Sequence, residues 1–127
     1  MSTITLSDIG QVALHVQDLE RAVAFYRDIL GMPFLFQVPN LAFFDCGRVR
    51  LMLEQVNEDG ERFNSLLYYK VEDIHAAYDA LQGKGVGFEA DSGAPHKIAD
   101  MEDHELWMAF FRDSERNLVG IMCEKRN

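Results

Sequence analysis

The chain has 127 residues, of which 48% are hydrophobic and 26% are charged. This length allows a hydrophobic core without disulfides and is too short for two ordinary domains. The formal net charge of −9 argues against a nucleic-acid partner, because phosphate backbones repel an acidic protein. No apolar run approaches the ~20 residues that cross a bilayer, and the first residues lack an export signal. We therefore expect a cytoplasmic globular protein that does not bind membranes.

An internal repeat divides the sequence into two similar halves. The segment VQDLERA at 16–22 matches VEDIHAA at 71–77 in its Val, Asp, aliphatic and Ala positions. Further along, the Gly and Phe of GMPF at 31–34 match those of GVGF at 85–88. Such periodicity indicates two copies of one structural unit, which we place at about 8–56 and about 64–124 of a single domain spanning 1–127.

The first copy is predicted to form a strand, a helix and three further strands. Its opening strand covers 11–16, and Asp18 can cap the helix that follows. Apolar residues then recur at helical spacing until Gly31, which suits the left-handed residue that ends a helix. The remaining predicted strands are listed with their approximate bounds: 33–37, 41–46 and 49–54.

The second copy predicts the same order of elements. A strand covers 66–71, Asp73 caps a helix that ends near Gly85, and strands follow at about 86–89, 106–112 and 117–124. The polar segment 90–105 is then a long connection. We interpret it as a lid or binding loop, with a solvated surface loop as the alternative.

Paired βαβββ units are typical of the vicinal oxygen chelate superfamily, which contains glyoxalase I, bleomycin-resistance proteins and extradiol dioxygenases. The sequence resembles that family in HVQDLERAVAFYRDILG at 15–31 and in FRDSERNLV at 111–119. The resemblance implies an α+β fold of two βαβββ modules that form an incomplete barrel around a cupped sheet. It also implies a homodimer.

Enzymes of that family hold a divalent metal, which acts as a Lewis acid on the substrate. The resemblance places its four ligand positions at Gln11, Met52, Leu66 and Gly120. Of these, only Gln11 offers an oxygen ligand that suits a hard cation. The sequence therefore predicts no metal or other cofactor at the usual site. A rearranged divalent-metal site is the alternative, and its candidate ligands are Gln11, Glu54, His96 and His104.

The lead hypothesis is a protein that binds a small organic molecule, in the manner of the bleomycin-resistance proteins. The missing side chain at Gly120 is expected to leave room for the ligand. Trp107 and Met108 are expected to adjoin the mouth of the cup if the segment 90–105 folds over it. Arg50 or Lys70 suits an anionic group, Glu54 suits a cationic one, and the net acidity weakly favours a cationic ligand. The alternative is a metal-dependent glyoxalase-like lyase, isomerase or dioxygenase. The predicted ligand-binding residues are Gln11, His15, Arg50, Met52, Glu54, Leu66, Tyr68, His104, Trp107 and Gly120.

Overall fold

The structure is a computed structural model, and it describes residues 4, 6–57, 64–91 and 93–126. The chain divides into two compact units, residues 1–63 and 64–127, which we call module 1 and module 2. Each module contains one helical segment and one four-stranded mixed sheet. The predicted two-module βαβββ organisation is therefore confirmed. In the described part of the chain, no helix has the length and apolar character needed to cross a membrane.

Module 1 forms a sheet with the strand order β1-β4-β3-β2. Strand β1 pairs in parallel with β4, and the other neighbours are antiparallel. Hairpin turns join β2 to β3 and β3 to β4, where Asn40 and Gly47 adopt positive φ angles of 68° and 71°. The bounds are β1 Gln11–Val16, β2 Phe34–Val38, β3 Leu41–Cys46 and β4 Val49–Gln55.

The helical segment of module 1 begins as predicted, at Asp18, whose carboxylate accepts a hydrogen bond from the Arg21 backbone N–H. Gln55 of β4 accepts a second one from the Leu19 N–H at 3.0 Å, which ties the helix start to the sheet. Helix α1 covers Leu19–Ala24 and continues as a π-helical turn over Phe25–Ile29. The predicted single helix therefore widens in its second half, before Gly31 ends it with a φ of 72°.

Module 2 repeats this arrangement with the strand order β5-β8-β7-β6. Its helix α2 covers Ile74–Gly83, and the Asp73 carboxylate accepts hydrogen bonds from the first-turn N–H groups of His75 and Ala76. Gly85 has a φ of 89°, as predicted for a residue that follows a helix. The strand bounds are β5 Leu67–Lys70, β6 His96–Asp100, β7 His104–Arg112 and β8 Leu118–Arg126.

Two sequence-based predictions about module 2 are wrong. The predicted strand at 86–89 is reduced to one bridge between Phe88 and Phe111, and the edge strand β6 lies inside the predicted loop 90–105. Strand β6 was hidden because its side chains are mostly polar and a register shift between Lys97 and Ala99 interrupts the alternation. The predicted long lid is thus replaced by a short approach to β6 and a tight turn into β7.

The core of each module lies between its helix and the sheet face that the helix covers. In module 1, Tyr26 and Phe44 are fully buried, and their rings lie 6.2 Å apart. In module 2, Phe111 occupies the position equivalent to Phe44 in the repeat and packs against Phe88 at 5.3 Å. Burying such a ring contributes roughly 1.5–3 kcal/mol to stability. These aromatic residues therefore determine which face of each sheet packs against the helix and which face does not.

Candidate functional site

Each sheet has one face that no helix of its own module covers, and we call this its open face. Side chains alternate along a strand, and directly paired residues share a face. The pairing register therefore assigns the open face of module 1 without ambiguity. It carries Gln11, Ala13, His15, Phe36, Val38, Leu41, Phe43, Asp45, Arg50, Met52 and Glu54.

Arg50 is the centre of a connected group on this face. Its Nε donates a hydrogen bond to Gln11 Oε1 at 2.9 Å, and its Cζ lies 5.4 Å from the centroid of the Phe43 ring. Gln11 Nε2 in turn points to the Met52 sulfur at 3.7 Å. The amide oxygen of Gln11 is therefore already directed at a positive charge.

Two further contacts complete the open face of module 1. Phe36 stacks on Phe43 with the ring centroids 4.5 Å apart, and 47% of Phe36 remains exposed. At the other end of the paired strands, His15 Nε2 lies 3.5 Å from Glu54 Oε1. The face thus combines an aromatic platform, a guanidinium and a carboxylate–imidazole pair, which is the mixed character that small-molecule sites have.

The open face of module 2 is closed over at Gly120. A Cβ atom at this position would lie 2.6 Å from the Tyr68 ring and 3.3 Å from the Phe110 ring. These two rings meet edge to face at 5.8 Å. The prediction that Gly120 leaves room for a ligand is therefore wrong, because the aromatic pair fills the space that a side chain would take.

A chain of charged groups runs along the rest of this face. Lys70 Nζ contacts Glu124 Oε1 at 3.3 Å, and Arg126 bridges Glu124 and Asp103 at 3.4 and 2.6 Å. His104 Nδ1 lies 2.7 Å from Asp103 Oδ1, and this hydrogen bond, together with the charge of Arg126, lowers the pKa of Asp103. These charges satisfy one another within the module.

The predicted alternative metal ligands are not gathered by either module. His96 pairs with Met108, four residues along β7 from His104, so the two histidines stand roughly 13 Å apart. In module 1, Gln11 is directed at Arg50 and Glu54 at His15. Across the described ranges, no three His, Cys, Asp or Glu side chains lie together in a way that suits a metal ion.

The usual family positions fit a metal no better. Gly120 lies under two rings, Met52 offers a thioether, and Leu66 precedes β5 as an exposed apolar residue. A divalent cation bound to Gln11 would also have to displace or approach the Arg50 guanidinium. The residues present do not fit the metal of the family's enzymes.

Trp107 lies on the wrong side of the sheet for its predicted role at the mouth of the cup. It pairs with Cys123 on the helix-covered face, and its ring lies 5.3 Å from that of His75. There it lines a cavity of about 390 Å³ at the start of helix α2. Because side chains alternate along a strand, Trp107 and Met108 lie on opposite faces of β7. The sequence alone was sufficient to predict that only one of them could face the cup.

Sequence reasoning missed the aromatic residues that shape both open faces. Phe36 and Phe43 form the platform of module 1, and Phe110 covers Gly120 in module 2. The repeated Phe-Phe pair at 43–44 and 110–111 carried the signal, because alternation sends one ring of each pair to the core and the other to the open face. Tyr68 pairs with Gly120 on the open face of module 2. His104 was predicted to lie in the loop 90–105, and it instead begins β7, where it pairs with Arg126. Leu66 precedes β5, so no strand pairing assigns it to a face.

The comparisons with known proteins agree with this architecture. A sequence model of the Glyoxalase/Bleomycin resistance protein/Dioxygenase superfamily matches residues 8–121. The chain is 34% identical over 126 residues to the uncharacterized protein YraH of Bacillus subtilis (strain 168), covering 87% of this chain and 94% of YraH.

Solved structures show the same fold at lower identity. A superfamily member from Sphaerobacter thermophilus DSM 20745 aligns with a TM-score of 0.75 and 22% identity over 94% of this chain and 98% of that one. Lactoylglutathione lyase from Agrobacterium tumefaciens aligns with a TM-score of 0.72 and 23% identity, covering 93% and 94%. TnmS3, an antibiotic binding protein from Streptomyces sp. CB03234, aligns with a TM-score of 0.71 and 18% identity, covering 97% and 100%. The family match, the YraH relative and the paired βαβββ modules together establish that this chain belongs to the glyoxalase/bleomycin resistance protein/dioxygenase superfamily.

Proposed function

We propose that this protein binds a small organic molecule on the open face of module 1 and does so without a resident metal. The proposal rests on the surroundings of two of the family's four metal-ligand positions, Gly120 and Gln11. Gly120 is packed beneath Tyr68 and Phe110, and the oxygen of Gln11 accepts a hydrogen bond from Arg50. Both arrangements favour contacts with an organic ligand over coordination of a cation.

The exposed surface of module 1 supports the same proposal. The exposed edge of Phe36, the thioether of Met52 and the guanidinium of Arg50 lie on one face. Aromatic and thioether groups adapt to flat organic molecules, and one polar group suffices to orient them. The fold likeness to the antibiotic binding protein TnmS3 fits a role in binding such a molecule.

A divalent-metal-dependent enzyme is the second candidate function. The His15–Glu54 pair favours it, because a carboxylate beside an imidazole is a suitable general base and the Glu54 side chain is 42% exposed. This reading requires a metal ligand set that differs from the family's usual positions.

Elemental analysis of the purified protein, before and after incubation with Ni²⁺, Zn²⁺, Fe²⁺ and Mn²⁺, tests the proposal. We expect no ion to be retained in a 1:1 ratio after desalting, and no change of retention in the Gln11→Ala variant. Stoichiometric retention that the Gln11→Ala or Glu54→Gln substitution abolishes would contradict the metal-free proposal and support the enzyme. A thermal-shift screen of aromatic anions, neutral amides and amines then tests ligand binding itself.

A further inference from the structure

The open faces differ in which positive charges are already neutralised. On module 2, Lys70 pairs with Glu124, Arg126 with Asp103, and Arg112 with Glu89 at 2.9 Å. On module 1, Arg50 has no ion pair with any carboxylate in the described part of the chain. Among the cations that the structure describes on the open faces, Arg50 is therefore the one whose charge is left for a ligand.

Asp45 is the carboxylate best placed to neutralise Arg50, and it does not do so. The two residues are direct cross-strand partners on β3 and β4. Even so, the Arg50 side chain lies over Phe43 and reaches Gln11 instead of forming an ion pair with Asp45. The interaction with the ring face holds the guanidinium at the platform, in the orientation that a stacked ligand would meet.

The donor geometry of Arg50 points to an anion. A guanidinium carries five N–H donors in a planar fork, and here Nε is committed to Gln11 Oε1. The terminal Nη groups make no hydrogen bond with the described residues, so the edge of the fork that binds a carboxylate in two parallel bonds is available. Gln11 thus acts as a brace that fixes the plane of the fork.

From these contacts we infer that the ligand is a planar aromatic or conjugated carboxylate. Its carboxylate binds the Arg50 fork, and its ring lies against the exposed part of Phe36. This inference rests on the proposed function and names the chemical class of the ligand. The net charge of −9 does not oppose it strongly, because the acidic residues are dispersed and charges beyond ~8 Å are largely screened at physiological salt.

Three naphthalene probes of nearly equal shape separate charge from stacking. Backbone amide NMR titration with 2-naphthoate, 2-naphthamide and 2-naphthylmethylammonium reports which probe binds and where. We expect 2-naphthoate to bind most tightly, with shifts at Arg50, Gln11 and Phe36. Loss of a charge-assisted bidentate contact costs on the order of tenfold or more in affinity, and this is the expected effect of Arg50→Gln on 2-naphthoate alone.

Two further variants complete the test. Arg48→Gln removes a neighbouring exposed arginine from the turn before β4, and it is expected to leave 2-naphthoate affinity unchanged. Asp45→Asn removes the negative charge of the cross-strand partner of Arg50 and is expected to tighten 2-naphthoate binding by roughly two- to fivefold, because a surface charge pair contributes up to ~1 kcal/mol. Thermal unfolding of each variant establishes that the fold is retained.

The outcomes separate this inference from the broader proposal. Preferential binding of the amide or the ammonium probe on the open face of module 1 would overturn the anion class and leave small-molecule binding intact. Equal loss of affinity in Arg50→Gln and Arg48→Gln would overturn the role of Arg50. Absence of binding by all three probes would overturn the inference, whereas the proposed function would fall only with a metal retained in the elemental analysis or no ligand in the wider screen.

Discussion

The two modules share their order of elements and differ in how their open faces use charge. Module 2 connects Lys70, Glu124, Arg126, Asp103 and His104 through successive contacts. Module 1 instead holds Arg50 over an aromatic ring, with an amide and no carboxylate on its Nε. A repeated backbone thus carries one face that is electrostatically satisfied and one that is not. Under the proposed function, the difference teaches that one of two duplicated sheets can take the binding role while the other remains structural.

The largest expected effect concerns the packed glycine of module 2. We expect Gly120→Ala to destabilise the protein by about 1–3 kcal/mol, because its Cβ overlaps the Tyr68 ring. Denaturant unfolding measures this change. Gly87→Ala is the matched control, since nothing lies within 4 Å of its Cβ position. If Gly120→Ala lowers the free energy of unfolding by the same amount in a Tyr68→Ala background, the Tyr68 ring is not the cause of the destabilisation.

A second prediction compares one turn from each module. Arg116 and Asn40 adopt positive φ angles of 67° and 68°. The left-handed region costs a long side chain such as arginine roughly 1 kcal/mol, whereas asparagine tolerates it better. We expect Arg116→Gly to stabilise the protein by about 0.5–1 kcal/mol and Asn40→Gly to change stability by less. A larger gain from Asn40→Gly, measured by chemical denaturation, would contradict this account.

The smallest expected effect is the pH dependence of stability that arises from the linked charged side chains of module 2. The hydrogen bond with His104 and the charge of Arg126 lower the pKa of Asp103. Because the folded-state pKa is lowered, the stabilisation by Asp103 is fully present above its ordinary pKa and is lost as the pH falls through the lowered value.

Carboxyl NMR of Asp103 checks this prediction directly. We expect the pKa of Asp103 to rise toward its ordinary value in His104→Ala. The matched variant His96→Ala is the control, because His96 contacts the Ala94 carbonyl and lies elsewhere on the sheet. A rise of similar size in both variants would indicate a general field effect instead of the local hydrogen bond.

Much of the fold followed from the sequence because local signals agreed. Asp18 and Asp73 cap helices as predicted, and Gly31 and Gly85 adopt left-handed conformations. Each of these features is set by one residue and its immediate neighbours. Strand β6 was not predicted, because a polar edge strand with a register shift lacks the apolar periodicity that marks a strand in a sequence.

The candidate site was less predictable, since it depends on pairs of residues distant in sequence. Alternation assigned Gln11, Arg50 and Met52 to one face correctly. It did not predict that the Arg50 side chain would contact Gln11 and Phe43 instead of Asp45. Nor did it predict that the Tyr68 ring would cover Gly120. Those choices arise from side-chain rotamers and ring packing, which the spacing of residues along one strand does not determine.

The parallel pairing of the first and last strands in each module has a consequence for folding. Strands β3 and β4 close locally through a short turn, whereas Gln11 meets Arg50 across 39 residues of chain. Loop-closure entropy makes such distant pairings late events, and strands at a sheet edge open most easily. In module 2 the corresponding strand β5 is only four residues long. We therefore expect β1 and β5 to dock late during folding and their amide protons to exchange sooner than those of the central strands. The strand that braces Arg50 is thus also among the last to become ordered.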